Sequence, residues 1–415
     1  MALLKAPARF LVWHTCLVVI GVLLCIGTVM VVDPYRLYGL VDLAGFNRIK
    51  PPPERYQEQI KMTGALAAKA NVLIAGNSRA EIGFDPEYQG LNAAGISTYN
   101  IALASTATPT AQRELDYLRG HGMRPTRLIL GVDFLDFLID STRTAPAARP
   151  GQVFPLSEGF KWKFDALFSM TSMADAVKTV SMQRSNDVET MTQQGFNPLL
   201  EYYKYVRNDG YYPIFQQRAT EYAKTFVRKP HGLAEHATGS SQNFDSLRAI
   251  LANSAREKTK LDVVIYPYHA QILAMFEQVG LAPVFARWKS LMAHDIESMR
   301  AAYPAAQITL WDFSGFSPFQ CEVIPARGDK LTATQWYWEA GHFKPALGNL
   351  VLARILGDAE QSDNFGVPLT ASNLAQNQHR FELERAACMQ TYPALFSEAA
   401  ALISVARTRK KALSD

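Results

Sequence analysis

An apolar run near the N-terminus divides this chain before any other pattern is considered. From Leu11 to Val32 the sequence contains no charged side chain. About 20 apolar residues are enough to cross a bilayer, and a single segment in hydrocarbon satisfies its backbone hydrogen bonds only as a helix. The sequence therefore predicts a transmembrane anchor over residues 11–32.

The charges beside this run set its expected orientation. Lys5 and Arg9 precede it, and Asp33 follows it. Because cytoplasmic flanks carry the excess of Lys and Arg, we expect residues 1–10 in the cytoplasm and the bulk of the chain to be exported. A cleavable signal peptide is the alternative, but the run is long for one and no Ala-x-Ala site ends it.

The composition is that of a folded protein with moderate charge. The 415 residues are 48% apolar and 19% charged, with a net charge of +4. A chain of this length can bury a large core, either as one enlarged domain or as two. The small net charge, without a basic stripe interleaved with aromatics, argues against a nucleic-acid partner.

Four cysteines fall into two groups. Cys16 and Cys25 lie within the apolar run, whereas Cys321 and Cys388 lie in the part expected to be exported. An oxidising compartment permits disulfides, so we expect a bridge between Cys321 and Cys388. Two buried free thiols are the alternative.

Residues 33–70 have the pattern of a spacer followed by a helix. The run Pro51-Pro52-Pro53 favours a stiff, extended segment, and Gln57 to Ala70 has a helical pattern. The α/β domain is expected to cover residues 71–357, and residues 358–415 are expected to form a helical C-terminal tail.

Short apolar runs alternate with helical patterns through residues 71–357. The predicted strands are Asn71 to Ala75, Tyr99 to Leu103, Arg127 to Phe134, Leu261 to Pro267 and Gln307 to Phe313. A helix is predicted from Thr108 to Gly120, with Thr108 as its cap and Pro109 at its first position. Strand, helix and strand in this order predict a parallel sheet that is covered on both faces.

The alternation is interrupted by an insert at about residues 140–250. Two amphipathic, aromatic segments within it, Phe160 to Val180 and Leu199 to Arg228, are predicted to be helical. Long inserts in α/β domains tend to be lids or substrate walls. The insert holds a cluster of tyrosines, Tyr202, Tyr203, Tyr205, Tyr211 and Tyr212. Stacking on sugar rings is one interpretation of this cluster, and ordinary packing within the insert is the favoured one.

Polar side chains follow the ends of several predicted strands. Ser78 comes just after the first strand and after Gly76, which permits a tight turn. Asp133 ends the third strand, and Tyr268 and His269 follow the fourth. Because sites in open α/β sheets form beyond the carboxyl ends of the strands, the sequence predicts a site at this edge.

A serine nucleophile needs a base, and His342 is the best candidate. Glu339 precedes it by three residues, on a turn expected just before a helix from Ala346 to Leu356. The carboxylate would fix the tautomer of the imidazole, whose other ring nitrogen would face Ser78. His269 is the second candidate base, with a satisfied strand-end histidine as the alternative.

The sequence predicts neither a metal site nor a bound cofactor. Its eight histidines are scattered, and it contains no Cys-x-x-Cys pair. It also lacks a phosphate-binding glycine loop.

Four short blocks resemble, in their order, the motifs of the SGNH (GDSL-like) hydrolase superfamily. The blocks are Gly76-Asn77-Ser78-Arg79, Asn100-Ile-Ala-Leu103, Gly131-Val-Asp133 and Glu339-x-x-His342. The chain looks most similar to the membrane-anchored bacterial branch, which includes alginate acetylation proteins and the D-alanine transfer protein of teichoic acid modification. The resemblance covers roughly residues 71–356 without the insert.

This resemblance implies a flavodoxin-like, three-layer α/β/α fold around a parallel sheet. It implies a single-pass protein of the bacterial inner membrane, with most of its chain in the periplasm, acting on ester-linked acyl groups of a cell-surface or secreted polysaccharide. By position, Ser78 would be the nucleophile, His342 the base and Glu339 the orienting acid. A membrane-bound acyltransferase is a candidate partner.

Three positions depart from the family pattern. The acid is Glu339 where the family usually has Asp, the block at Asn100 lacks the glycine of the oxyanion hole, and Asp133 replaces an asparagine. An ionised Asp cannot donate a hydrogen bond to an oxyanion. Asn100, a backbone amide or a protonated Asp133 would have to substitute, or the protein is a weak or inactive member. The other candidates for oxyanion or substrate binding are Asn77, Arg79, Tyr268 and His269.

Two further function classes stay open. One is a non-catalytic, glycan-binding component of a polysaccharide modification or export complex, which would use the same cleft. The other is an α/β-hydrolase-type esterase, since Gly76-Asn-Ser78-Arg-Ala80 nearly matches the Gly-x-Ser-x-Gly elbow. Against the latter, Ala80 replaces glycine and the acid and base lie three residues apart.

Overall fold

A six-stranded, mostly parallel sheet lies at the centre of the α/β fold. The structure is a computed structural model that describes residues 5–92, 94–141, 160–234, 241–362 and 364–414. Its strands are β1 (Val72–Ala75), β2 (Thr98–Asn100), β3 (Arg127–Val132), β4 (Leu138–Asp140), β5 (His231–Leu233), β6 (Lys260–Ile265), β7 (Ile308–Asp312), β8 (Tyr337–Glu339), β9 (His342–Phe343) and β10 (Val367–Pro368). The sheet order is β10-β7-β6-β3-β1-β2, while β4 pairs with β5 and β8 with β9.

Helices surround the sheet and extend the chain at both termini. They are α1 (Lys5–Val32), α2 (Gln57–Ala67), α3 (Ser78–Gly83), α4 (Thr108–Gly120), α5 (Phe160–Leu167), α6 (Met170–Met182), α7 (Tyr202–Asp209), α8 (Tyr211–Arg228), α9 (Gln242–Glu257), α10 (Ala270–Gln278), α11 (Ala282–Ala302), α12 (Pro345–Leu356), α13 (Ala359–Ser362), α14 (Leu374–Thr391) and α15 (Pro393–Ser414). All of β1 is buried, as are β3 and β6 apart from their first residues. The sheet is therefore covered on both faces, as its continuous apolar strands predict.

The predicted parallel strands are confirmed. The second of them ends earlier than predicted, and the sheet contains one strand that was not predicted. The second ends at Asn100, although the N–H groups of Ile101 and Leu103 still donate to the carbonyls of Ile74 and Gly76. β10 pairs antiparallel with β7 at the sheet edge. Its two residues, Val367 and Pro368, were not predicted, because so short a segment carries no periodic pattern.

Helix α4 has the predicted bounds, but the predicted cap is wrong. Ala107 precedes the helix without a side-chain cap, and Thr108 is its first residue. The Thr108 hydroxyl instead donates to the carbonyl of Asn243 at 2.9 Å. Pro109 therefore occupies the second position, where a missing N–H still costs no intrahelical hydrogen bond.

One helix of the described residues, α1, is long and apolar enough to cross a membrane, over Ala8–Val32. The segment that follows α1 is attached to the end of that helix ahead of its proline run. Asn47 Nδ2 and Lys50 Nζ donate to the carbonyl of Val32 at 3.1 and 2.6 Å. Burial lowers the pKa of Lys50 to about 8. Buried hydrogen bonds therefore hold the first part of this segment against α1.

Four helices occupy the described residues 160–228 of the insert, where two longer ones were predicted. Ser169 caps α6 by accepting from the Ser172 N–H at 3.1 Å, which separates α6 from α5. Gly210, with φ of +77°, separates α7 from α8. The same insert brings β5 beside β4. A residue that breaks or caps a helix thus divides each predicted segment.

A disulfide joins the segment before β8 to the C-terminal helices. The sulfurs of Cys321 and Cys388 are bonded, with 6.1 Å between their Cα atoms and 67 residues of sequence separation. Both cysteines are buried. The bond therefore connects α14 to the chain just upstream of the β8–β9 hairpin.

Replacing both bonded cysteines should destabilise the protein. In the chain-entropy model a cross-link over a loop of this length contributes about 4 kcal/mol. The Cys321→Ser/Cys388→Ser variant should therefore lose about 4 kcal/mol of unfolding free energy in urea titrations in detergent. Cys16→Ser/Cys25→Ser, which removes the free cysteines of α1, is the control and should leave this value unchanged.

Candidate active site

The turn after β1 brings Ser78 to the carboxyl edge of the sheet. Gly76 has φ of +146°, and a Cβ there would collide with the hydroxyl of Tyr266, so glycine is required. Asn77 then caps α3 through its side-chain oxygen, which accepts from the Arg79 N–H at 3.1 Å. Ser78 is consequently the first residue of a helix and is half-buried.

Glu339 and His342 lie on a tight antiparallel hairpin, whose turn precedes a helix as predicted. Glu339 ends β8, His342 begins β9, and α12 starts at Pro345, one residue before the predicted start. The Gly341 N–H donates to Glu339 Oε2 at 2.6 Å and closes the turn. A hairpin of so few residues has no sequence signal that separates it from a helix entry.

Ser78, His342 and Glu339 form a hydrogen-bonded chain. Ser78 Oγ lies 2.8 Å from His342 Nε2, and His342 Nδ1 is hydrogen-bonded to Glu339 Oε1. Burial by itself raises the pKa of Glu339, but His342, Arg218 and the Gly341 N–H lower it, and the net pKa lies below its usual value. An ionised Glu339 holds the Nδ1–H tautomer, which leaves Nε2 free to accept the proton of Ser78.

Asp133 is part of a buried ion pair and is not available to an oxyanion. It accepts from the Arg79 guanidinium, from Asn77 Nδ2 at 3.2 Å, from the Tyr268 hydroxyl at 2.8 Å and from the Leu135 N–H at 3.1 Å. Four donors favour the carboxylate over the protonated acid that the sequence left open. Arg79, Asn77 and Tyr268 therefore all serve as hydrogen-bond donors to the Asp133 carboxylate.

Asn100 has no donor left for an oxyanion either. Both of its Nδ2 hydrogens are used, since it donates at 2.9 Å to the carbonyls of Ala80 and of Phe84. Its Oδ1 accepts from the Ala102 N–H, and the residue is fully buried. Asn100 thus braces the end of α3 against β2, and the expectation that it lines the site is not supported by its contacts.

His269 matches the alternative of a satisfied strand-end histidine. Its Nε2 is hydrogen-bonded to the carbonyl of Glu322 at 2.9 Å, and its Nδ1 accepts from the Gln271 N–H at 3.2 Å. Burial lowers the pKa of His269 to about 4, so the ring is neutral. With both nitrogens bonded to the backbone, it has no free nitrogen to act as a base.

The insert contributes side chains to the site that sequence patterns did not indicate. On α8, the hydroxyl of Tyr222 accepts from Arg79 Nη2 at 3.0 Å, and Arg218 Nε lies 3.5 Å from Glu339 Oε1. A Cβ on Gly341 would lie 2.6 Å from the Tyr222 hydroxyl, so α8 packs closely on the β8–β9 hairpin. The α8 helix therefore walls the site, and only the folded structure places its residues there.

The tyrosine cluster divides into two groups. The rings of Tyr202 and Tyr203 pack on Trp338, the neighbour of Glu339, at centroid distances of 5.8 and 5.1 Å. Tyr203 and Tyr205 remain 42% and 53% exposed. Tyr211 is instead buried and accepts a hydrogen bond from Lys344. Exposed aromatic rings therefore lie beside the strand that carries Glu339.

No family model, curated protein or solved structure matches this chain. The site is accordingly interpreted from its own geometry. Among the residues that the structure describes, no group of three or more His, Cys, Asp or Glu side chains is arranged to hold a metal ion.

Removing Arg79 should destabilise the protein, because Asp133 would stay buried without its cation. Breaking a buried pair in this way costs about 3–5 kcal/mol, and we expect Arg79→Leu to lose that much unfolding free energy in urea titrations. Arg48→Leu, which breaks the exposed pair with Asp42, is the control and should cost less than about 1 kcal/mol. Equal losses in the two variants would contradict the assignment.

Proposed function

We propose that the protein is a membrane-anchored serine enzyme that transfers or hydrolyses ester-linked acyl groups. The observation that carries this proposal is the chain from Ser78 through His342 to the buried Glu339. A serine, a base and an orienting acid in this order activate a hydroxyl for attack on an acyl carbon. Ser78 is the first residue of α3, and Glu339 and His342 are paired residues of the β8–β9 hairpin, so all three lie on regular secondary structure.

The reaction follows from the direction of the hydrogen bonds. His342 Nε2 takes the proton of Ser78 as Oγ attacks the acyl carbonyl, and the resulting imidazolium is steadied by Glu339. The same proton then passes to the departing alcohol, which leaves an acyl-serine. A sugar hydroxyl or a water molecule, deprotonated by His342, attacks this ester in the second half and releases Ser78.

Few hydrogen-bond donors are left in the site for an oxyanion, and this supports a second candidate function. Asp133 and Asn100 are engaged elsewhere, and the Arg79 N–H is bonded to Asn77, so we assign the oxyanion to the Ser78 N–H. Losing one donor costs on the order of 100-fold or more in rate. These contacts agree with a slow enzyme and also with a glycan-binding component that does not turn over an ester.

We propose that the protein belongs to the SGNH-like branch, and its motif order and strand order support this proposal. The parallel strands follow the order β2-β1-β3-β6-β7, which is the order of flavodoxin-like doubly wound sheets. An acid and base on one hairpin disfavour the α/β-hydrolase alternative, where the acid usually lies on an earlier loop. The proposed substrate is an O-acylated polysaccharide outside the inner membrane, with a membrane-bound acyltransferase as candidate partner.

Replacing Ser78 should abolish ester turnover. With p-nitrophenyl acetate as substrate, Ser78→Ala and His342→Ala should each lose about 10³-fold or more in kcat/KM, since the triad acts as a unit. A fluorophosphonate should label Ser78 of the wild-type protein, as detected by peptide mass spectrometry.

A second serine–histidine pair provides the matched control. Ser290 Oγ lies 3.5 Å from His294 Nδ1 on the surface of α11. Ser290→Ala should retain full activity and labelling. Turnover by Ser78→Ala at the wild-type rate would refute the nucleophile, whereas a wild-type protein without turnover that binds glycan would favour the non-catalytic candidate.

The exposed tyrosines should affect glycan substrates selectively. Loss of one stacked ring costs about 0.5–1.5 kcal/mol, so Tyr203→Ala should raise KM for an acetylated oligosaccharide by about 3- to 10-fold. Its kcat/KM for p-nitrophenyl acetate should not change, because that ester is too small to reach the ring. Tyr392→Ala, at a tyrosine 36% exposed on the C-terminal helices, is the control. Equal effects on both substrates would contradict stacking.

A further inference from the structure

Large apolar side chains are exposed together on the first half of the insert and on the loop after α1. We name this surface the apolar foot and define it by Leu43, Phe164, Phe168, Met170, Val177 and Val180, which are 41–88% exposed. Phe164 and Phe168 stack on each other at 4.1 Å between ring centroids. A patch of this kind on a folded protein marks a surface that meets a partner.

The apolar foot is continuous with the membrane helix. Val29 and Val32, in the last turns of α1, form a buried cluster with Ala176 of α6. Leu167 of α5 and Met173 of α6 are partly buried against that cluster. Because Met173 lies between Met170 and Val177 on one face of α6, a single apolar stripe runs from the contact with α1 out to the exposed foot.

The position of the foot relative to α1 is fixed by buried polar contacts. Asp33 accepts from the N–H groups of Leu37, Tyr38 and Gly39 at 2.8–2.9 Å, which forms the loop directly after α1. Gln183, just after α6, is bonded to both the N–H and the carbonyl of Ile49. The insert and the end of α1 therefore form one rigid unit.

We propose that the apolar foot lies in the lipid interface on the side of the membrane where the α/β domain lies, an inference that rests on the proposed membrane anchor. The segment Ala8–Val32 has 25 residues, or about 37 Å of helix, which exceeds the roughly 30 Å of hydrocarbon. The last turns of α1 thus reach the interface, and α5 and α6 are attached there. Helices that expose an apolar stripe beside basic residues lie in this layer.

The charges around the foot support a lipid occupant. Lys161 and Lys163 are exposed on α5 and Lys178 on α6, where Lys178 also lies 3.7 Å from Glu189. Basic side chains at the membrane surface attract anionic headgroups, and their stems can extend along the apolar layer. The insert therefore has two parts: α5 and α6 rest in lipid, and α7 and α8 wall the active site at a fixed height above it.

Depth-dependent quenching in nanodiscs tests this placement on the full-length protein. In a Cys16→Ala/Cys25→Ala background, bimane is attached at Met170→Cys or Val177→Cys, with the disulfide-bonded cysteines left intact. Leu17→Cys in α1 reports the anchor, and Leu331→Cys, at a side chain 96% exposed, is the aqueous control. The nanodiscs contain lipids brominated near the glycerol end of the acyl chain.

The foot positions should lose fluorescence to the brominated lipid, whereas position 331 should not. Absence of quenching at 170 and 177, with Leu17→Cys quenched by deep-brominated lipid, would overturn the proposal and leave the anchor intact. No quenching at Leu17→Cys would overturn the anchor and this inference together, without bearing on the ester turnover of Ser78. A disulfide-linked dimer of unlabelled Met170→Cys in high yield would show that a second copy covers the foot, and would also overturn it.

Discussion

The buried pair of Arg79 and Asp133 is the contact on which the geometry of the site depends. It joins α3, which carries Ser78, to the end of β3, and through Tyr222 it also holds the insert helix α8. Two charges out of water are tolerated only when their remaining hydrogen-bonding groups are satisfied, and Asn77, Tyr268 and a backbone N–H meet that need for Asp133. Ser78 therefore lies on a helix whose position is determined by polar contacts on three sides.

The insert connects the site to α1 through continuous packing. Its first two helices contact the end of α1, and its last helix contacts Glu339 and Arg79. Helix α2 contributes a further contact through Lys61, whose buried ammonium is bonded to Glu81 of α3 at 2.9 Å. The helix that carries Ser78 is thus attached to both the segment after α1 and the insert, which limits how far the domain can tilt relative to α1.

The sequence predicted the parts of this structure that carry a periodic or positional signal. Continuous apolar runs identified the strands, Gly76 identified the turn, and the carboxyl edge of the sheet brought Ser78 and Asp133 to one place. Arg218 and Tyr222 were missed because a helix in an insert has no register relative to the sheet until both fold. The hydrogen-bond partners of Asn100 and His269 could not be predicted either, because a buried amide or imidazole with satisfied hydrogen bonds has no sequence pattern that separates it from a functional one.

Aspartate at position 133 neutralises a buried cation but offers no N–H donor to an oxyanion. An asparagine there would offer an N–H to a developing oxyanion, but it would leave the Arg79 guanidinium buried without a counter-charge. With aspartate, the guanidinium is neutralised and α3 is held rigidly, while a donor is lost from the site. Since Asn100 is also used in bracing α3, both departures from a full oxyanion hole serve the position of Ser78. Activity in this protein would then depend on how well the serine is placed more than on how strongly the oxyanion is bound.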